Sequence, residues 1–199
     1  LSLSNHFKRH RLIIYDVKPI KIHAGSMRYY VCHKNSKLAK IKNKSVLKLL
    51  NNERKNKYHK YKTYNDFAFK INKTKDNLIN LLSRLKKNNN IVYGYGASGR
   101  ANTILQYCAI SNTEIPLIID DSKAKHGFYT PGSHIKICSA EILLSKKKPD
   151  YILLFAWSFL KEVVNRNREY FINGGKVILP LPKVKILDYK QLKPLIDII

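Results

Sequence analysis

The 199-residue chain has few acidic residues, few cysteines and no long apolar run. Its three cysteines, Cys32, Cys108 and Cys138, are odd in number and widely spaced, so they indicate neither a disulfide framework nor a zinc site. The longest apolar run, residues 151–157, is far shorter than the roughly 20 residues that cross a bilayer, and no leader-like segment opens the chain. We therefore predict a folded cytoplasmic protein with no metal site and no membrane partner.

Basic residues greatly outnumber acidic ones, with 38 Lys+Arg against 13 Asp+Glu, and most of the excess lies in the first 90 residues. The positive electrostatic field of such an excess attracts phosphates and is compatible with nucleic-acid binding. The lysines are, however, interleaved with asparagines, as in KIKNKS and LKKNNN, which is typical of an AT-rich genome. We favour this compositional explanation, and a nucleic-acid-binding module remains an alternative.

The first 90 residues are predicted to form a β-hairpin followed by helices. Residues 12–16 and 27–33 are rich in β-branched and aromatic residues and flank the turn-like segment KPIKIHAGS. A helix-like segment, LSLSNHFKRH, precedes them, and the chain begins with Leu1 rather than Met, which suggests that a part upstream is missing. Two later apolar sets each predict one helix face: Leu38, Ile41, Leu47 and Leu50, then Phe67, Ile71, Leu78, Leu82 and Leu85.

From residue 91 onward, strand-like and helix-like segments alternate. Predicted strands lie at 91–93, 117–119, 135–137, 151–156 and 176–179, and predicted helices lie at 99–108, from 139 and at 160–170. This alternation predicts an α/β fold with a Rossmann-like parallel sheet and helices on both faces. The predicted organisation is a hairpin at 1–35, a helical linker at 36–90 and the Rossmann-like domain at 91–190.

A glycine-rich segment, VYGYGASGRANT, lies where the first of these strands meets a helix. Gly94, Gly96 and Gly99 have G-x-G-x-x-G spacing, which predicts a tight turn, close backbone approach to a phosphate and close helix packing, respectively. The N-terminus of the following helix would then face the anion. We predict a binding site here, and a ligand-free turn is the alternative. The predicted binding residues are Gly94, Gly96, Ala97, Ser98, Gly99, Arg100 and Asn102.

Two further segments supply candidate binding residues. Asp120 closes the second strand, where a carboxylate can accept hydrogen bonds from a ribose or can instead cap a turn. The loop KAKHGFYTPGSH carries Lys125, Pro131 and Gly132, and it is either a lid over a nucleotide or an ordinary connection. Trp157 at a strand end can stack on a base or sugar, with core packing as the alternative.

Several segments together resemble a known family, the sugar C-methyltransferases that act on nucleotide-linked deoxysugars. They are GYGASGRANTILQYC at 94–108, DDSKAKHGFYTPGSHIKI at 120–137, PDYILLFAW at 149–157 and GGKVILPLP at 174–182. The segment VKPIKIHAGSMRYYV at 17–31 is similar to the family's HGGS hairpin, with Ala24 in place of its second glycine.

The resemblance implies that this chain corresponds to the C-terminal part of such an enzyme. It implies a nucleotide-linked sugar as ligand, S-adenosylmethionine as the methyl donor of the full-length enzyme, and an upstream or separate domain that binds this donor. His23 matches the histidine of the HGGS motif and would polarise the keto sugar or orient the base. An NAD(P)-binding oxidoreductase-like module, which uses the same type of glycine loop, is the alternative function.

Overall fold

The computed structural model describes residues 1–21, 25–41 and 43–196, which divide into two compact units, Leu1–Lys70 and Ile71–Ile199. The helices are α1 (Ser2–Arg9), α2 (Lys44–Lys55), α3 (Tyr61–Lys87), α4 (Gly99–Tyr107), α5 (Leu160–Arg166), α6 (Arg168–Ile172) and α7 (Tyr189–Leu192). The strands are β1 (Leu12–Ile20), β2 (Ser26–His33), β3 (Val92–Tyr95), β4 (Leu117–Ile119), β5 (Lys136–Cys138), β6 (Tyr151–Leu154), β7 (Lys176–Leu179) and β8 (Lys185–Leu187). In the part of the chain described, no helix is both long and apolar enough to cross a membrane.

The first unit is built on the predicted antiparallel hairpin of β1 and β2. Pairing runs from Leu12↔His33 to Ile20↔Ser26, with a register shift between Ile14 and Asp16, so both strands extend closer to the turn than predicted. At this bulge the Asp16 carboxylate accepts hydrogen bonds from the Val17 N–H and the Ser45 hydroxyl, both at 2.7 Å. An isolated hairpin is only marginally stable. The hydrogen bond between Ser45 and Asp16 connects this hairpin to the first turn of α2.

The predicted helix face of Leu38, Ile41, Leu47 and Leu50 is wrong. A 3₁₀ turn at Lys37–Lys40 ends at the extended residue Ile41, and α2 begins separately after the extended residue Asn43, whose side chain caps it by accepting the Ser45 N–H at 3.2 Å. Because this cap begins a new helix, Leu38 and Leu47 do not share one helical face, and both side chains are exposed.

The second unit contains a six-stranded sheet in the order β5-β4-β3-β6-β7-β8, parallel except for β8. Numbered from β3 as the first strand, this is the 3-2-1-4-5-6 order of the doubly wound α/β fold. Helices cover both faces: α3 and α4 contribute to one apolar cluster, and α5, α6 and α7 contribute to the other. The predicted Rossmann-like α/β fold is therefore confirmed.

The sequence located most of these elements but not all of their boundaries. In α3, Leu78, Leu82 and Leu85 are buried as predicted, whereas Phe67 at the other end of the stripe is 62% exposed. The predicted helix at 160–170 is two helices, α5 and α6, that meet at Asn167. The element after Ser139 is a 3₁₀ helix, Ala140–Leu144, and the edge strand β8 was not predicted.

Candidate functional site at the switch point of the sheet

The central strands β3 and β6 are adjacent in the sheet, and their connections leave toward opposite faces. After β3 the chain enters α4, which packs on one face, and after β6 it enters α5, which packs on the other. In open α/β sheets this divergence opens a crevice beyond the carboxyl ends of the two strands, where ligands bind. The glycine segment follows β3 and Trp157 follows β6, so both flank this crevice.

The structure explains the presence of the three motif glycines differently from the prediction. Gly94 lies inside β3, where a Cβ would come within 2.8 Å of the Ile118 and Phe155 side chains, so it serves sheet packing rather than a turn. Gly96 forms the turn, with φ +94°, and a Cβ there would lie 3.1 Å from the Ala156 Cβ. At Gly99 a Cβ would meet no atom within 4 Å, so close helix packing does not require this glycine.

The N-terminus of α4 leaves two backbone donors exposed at the carboxyl end of β3. Ser98 is the N-cap: its hydroxyl accepts the Ala101 N–H at 3.4 Å and its carbonyl accepts the Asn102 N–H at 3.1 Å. The N–H groups of Gly99 and Arg100 have no partner inside the helix, because the first residues of a helix lack an upstream carbonyl. Both residues are exposed, and the positive end of the helix dipole points the same way.

The preceding loop amides are already engaged within the protein. The Gly96 N–H donates to the Ile119 carbonyl at 2.7 Å, the Ala97 N–H to the Asp120 carboxylate at 2.7 Å, and the Ser98 N–H to the Gly96 carbonyl at 2.9 Å. Any anion bound here is therefore met by Gly99 and Arg100 rather than by a cradle of all the loop amides.

Arg100 and Trp157 come together across the crevice. The Arg100 guanidinium carbon lies 5.2 Å from the centroid of the Trp157 ring, and Nη1 donates to the Ser158 hydroxyl at 3.1 Å. A guanidinium held over an indole in this way is a cation–π pair and stays near the ring. Trp157 is half-buried and Arg100 is exposed. Ser158 was not predicted as a site residue, because its proximity to α4 depends on the pairing of β3 with β6.

Asp120 and Lys125 lie against the glycine loop. Asp120 is 6% exposed, and its carboxylate accepts the Ala97 N–H, the Ser122 N–H and the Lys125 ammonium. The bond from the Ser122 N–H is the turn cap predicted as one role of Asp120, and the ribose contact stays a prediction. Asn102 is half-buried in the first turn of α4.

Pro131 and Gly132 are held at the far end of α4. The Gln106 side chain donates to the Pro131 carbonyl at 3.0 Å, and a Cβ at Gly132 would overlap this same side chain. Gln106 lies about 9 Å along the helix axis from Arg100, at about 1.5 Å per residue. The structure therefore does not bring Pro131 and Gly132 together with the glycine loop.

The loop between β4 and β5 folds back on the sheet. The Gly127 N–H donates to the Ile137 carbonyl at 2.9 Å, the Ile137 N–H donates to the Phe128 carbonyl at 2.8 Å, and Tyr129 forms a bridge with Lys136. These bonds hold the loop in place, which favours an ordered connection over a free lid.

A second polar network lies at the same end of the sheet. The buried Tyr95 hydroxyl donates to Asp121 at 2.8 Å and accepts from the Asn167 amide at 3.0 Å, and Asp121 forms an ion pair with Arg166. Burial raises the pKa of Tyr95 well above its usual value, and Asp121 adds to this increase. Tyr95 is therefore neutral in the fold, and its hydroxyl accepts from Asn167 at the point where α5 and α6 meet.

The predictions for His23 and for metal binding are not tested by the structure. His23 lies outside the described residues. Within residues 1–21, 25–41 and 43–196, no cluster of three or more His, Cys, Asp or Glu side chains is placed to hold a metal ion.

The strand order and the helix N-terminus at the switch point define a Rossmann-like α/β domain. Its sequence matches the family model of the C-methyltransferase C-terminal domain over residues 21–182, which is most of the chain. The protein therefore belongs to the C-methyltransferase family. It is 28% identical over 187 residues to the C-methyltransferase NovU of Streptomyces niveus, an alignment that covers 94% of this chain and 44% of that protein. The chain thus spans less than half the length of this relative.

Proposed function

We propose that this chain is the nucleotide-sugar-binding part of a sugar C-methyltransferase, and that the domain binding S-adenosylmethionine lies outside it. The observation that carries the proposal is the arrangement at the switch point, where α4 begins with two amides that have no intrahelical partner and the Arg100 guanidinium lies over the Trp157 ring. The family membership supplies the reaction class.

A nucleotide-linked sugar has the two features that this crevice favours. Its diphosphate is a compact anion that the Gly99 and Arg100 amides and the helix dipole stabilise. Arg100 uses one donor on Ser158, and a guanidinium has five N–H donors, so others remain for a phosphate oxygen. The half-buried Trp157 offers ring surface against which a base or sugar stacks.

The engaged Asp120 carboxylate argues against binding of NAD(P) or S-adenosylmethionine at this glycine loop. Adenosine cofactors in such folds usually place a ribose on an acidic residue at the end of the second strand. Here that carboxylate is 6% exposed and bonded to two N–H groups and Lys125. The residues present at this loop thus do not fit the methyl donor.

The chemistry of C-methylation is consistent with a division between two domains. Forming a carbon–carbon bond on a sugar requires removal of a proton beside a keto group and a methyl donor held in line with the resulting carbanion. In our proposal this chain holds the sugar nucleotide, and His23 keeps its predicted role beside the keto group.

Isothermal titration of the chain with TDP-glucose tests the proposal. We expect saturable binding, and binding of S-adenosylmethionine or NADH at least about tenfold weaker, corresponding to about 1.4 kcal/mol. Tight binding of S-adenosylmethionine without binding of TDP-glucose would contradict the proposed function.

A pair of arginine variants tests where the ligand binds. R100A removes a charge-assisted hydrogen bond worth about 1.5–3 kcal/mol and should weaken binding about tenfold or more. R168A removes the same charge from an exposed position in α6 and should leave affinity within about twofold, because salt screens the field of an exposed charge. Equal losses in both variants would indicate nonspecific attraction to a basic protein.

A further inference from the structure

The buried carboxylate of Asp120 is bonded on both oxygens. Oδ2 accepts the Ala97 N–H at 2.7 Å and the Lys125 ammonium at 3.1 Å, and Oδ1 accepts the Ser122 N–H at 2.9 Å. A buried charge needs this degree of compensation, because an unpaired carboxylate is costly in a poorly solvated site. Its bonds to Ala97 and Ser122 connect the loop after β3 to the loop after β4.

Lys125 completes the connection from the other side of Ala97. Its ammonium donates to the Ala97 carbonyl at 2.9 Å as well as to Asp120. Both backbone polar groups of Ala97 are therefore held by one ion pair. Ala97 lies between the Gly96 turn and the N-cap Ser98, so its placement determines where α4 begins.

We propose that Asp120 and Lys125 are positioning residues that clamp the glycine loop at Ala97 and thereby aim the Gly99 and Arg100 amides at the ligand. The effect on ligand affinity rests on the proposed function, whereas the clamp itself does not. This role replaces the ribose contact of Asp120 and the direct ligand contact of Lys125 that the sequence had suggested. Removal of Asp120 frees the Ala97 N–H and removal of Lys125 frees the Ala97 carbonyl, so either change loosens the loop at Ala97.

A double-mutant cycle measured with TDP-glucose separates the clamp from direct contact. We expect D120N and K125M each to weaken binding about tenfold and the double variant to bind about as weakly as either single one, because residues acting through one contact are not additive. Additive losses, about a hundredfold in the double variant, would mean that Lys125 binds the ligand directly and would overturn the proposal. The control K123A removes an exposed lysine from the same 3₁₀ turn and should change affinity less than about twofold.

Amide hydrogen exchange tests the clamp without a ligand. In the wild type the Ala97 amide should be protected, and in D120A its exchange should accelerate about tenfold or more while that of Ile152 in the central strand β6 stays unchanged. Should D120A unfold, K125M, which keeps an aliphatic stem, is measured instead: it frees the Ala97 carbonyl and should also accelerate exchange of the Ala97 amide by loosening the loop. Unchanged Ala97 protection in a folded variant would overturn the clamp. A wild type that does not bind TDP-glucose but shows the expected exchange would contradict the proposed function and support the clamp.

Discussion

The substitution G94A tests whether the first glycine of the motif serves packing in the sheet. Its Cβ would lie 2.8 Å from both Ile118 Cγ1 and Phe155 Cε2, about 0.7 Å inside the shortest usual carbon–carbon contact of about 3.5 Å. Both neighbours are completely buried, so relief requires movement of the core on one face of the sheet. Overpacking of this kind costs about 1–3 kcal/mol.

Thermal unfolding followed by circular dichroism measures this cost. For a chain of this size, each kcal/mol lowers the Tm by about 2–4 °C, so G94A should unfold about 2–12 °C below the wild type. Urea unfolding of the same variant should show a lower midpoint with an unchanged m-value, because the surface exposed on unfolding is the same.

The other two motif glycines provide matched comparisons. G99A places a Cβ in open space at the first position of α4 and should be neutral or stabilising by about 0.4–1 kcal/mol. G96A requires alanine at φ +94° and should cost about 1–3 kcal/mol through backbone strain. The packing argument would be refuted if G94A were as stable as the wild type, or if G99A lowered the stability more than G94A does.

Three further outcomes follow from contacts in the second unit. W157A should weaken TDP-glucose binding about tenfold through lost stacking, whereas F159A, which removes an exposed aromatic from the same 3₁₀ turn, should not, and titration calorimetry compares the two. Because the pKa of Tyr95 is raised in the fold, the neutral hydroxyl stabilises the protein below about pH 10 and this contribution is lost as the pH rises further. The difference in unfolding free energy between wild type and Y95F should therefore shrink between about pH 9 and pH 12 in urea titrations, and a constant difference would exclude the mechanism. Q106A should cost about 0.5–1.5 kcal/mol in urea unfolding by releasing the Pro131 carbonyl, and an unchanged midpoint would show that this exposed bond contributes nothing.

The fold of the second unit was largely predictable because its strands are short apolar runs separated by helical periodicity. Val92, Ile118, Ile152 and Val177 all lie in segments identified as strands, and the resemblance agreed with this alternation. Strand β8 was missed because three residues with a lysine at one end carry little strand signal. The break at Asn167 was missed because it depends on a bond to Tyr95, which is 72 positions away.

The sequence placed the glycine segment between a strand and a helix, but it did not reveal what its residues contact. Spacing identified Gly94 and Asp120, yet the reasons for both residues lie in neighbours that only the folded sheet supplies. For Gly94 these are Ile118 and Phe155, and for Asp120 the main neighbour is Ala97. Sequence patterns report local conformation well, whereas hydrogen-bond partners across loops require the strand order.

The two edges of the six-stranded sheet limit how the second unit can associate with other chains. Strand β5 is three residues long and is partly covered by the bridge between Tyr129 and Lys136, and β8 is three residues long and begins with Lys185. Short, charged or covered edges discourage β-strand addition and edge-to-edge aggregation. The unit should therefore recognise other macromolecules through side-chain surfaces rather than by extending its sheet.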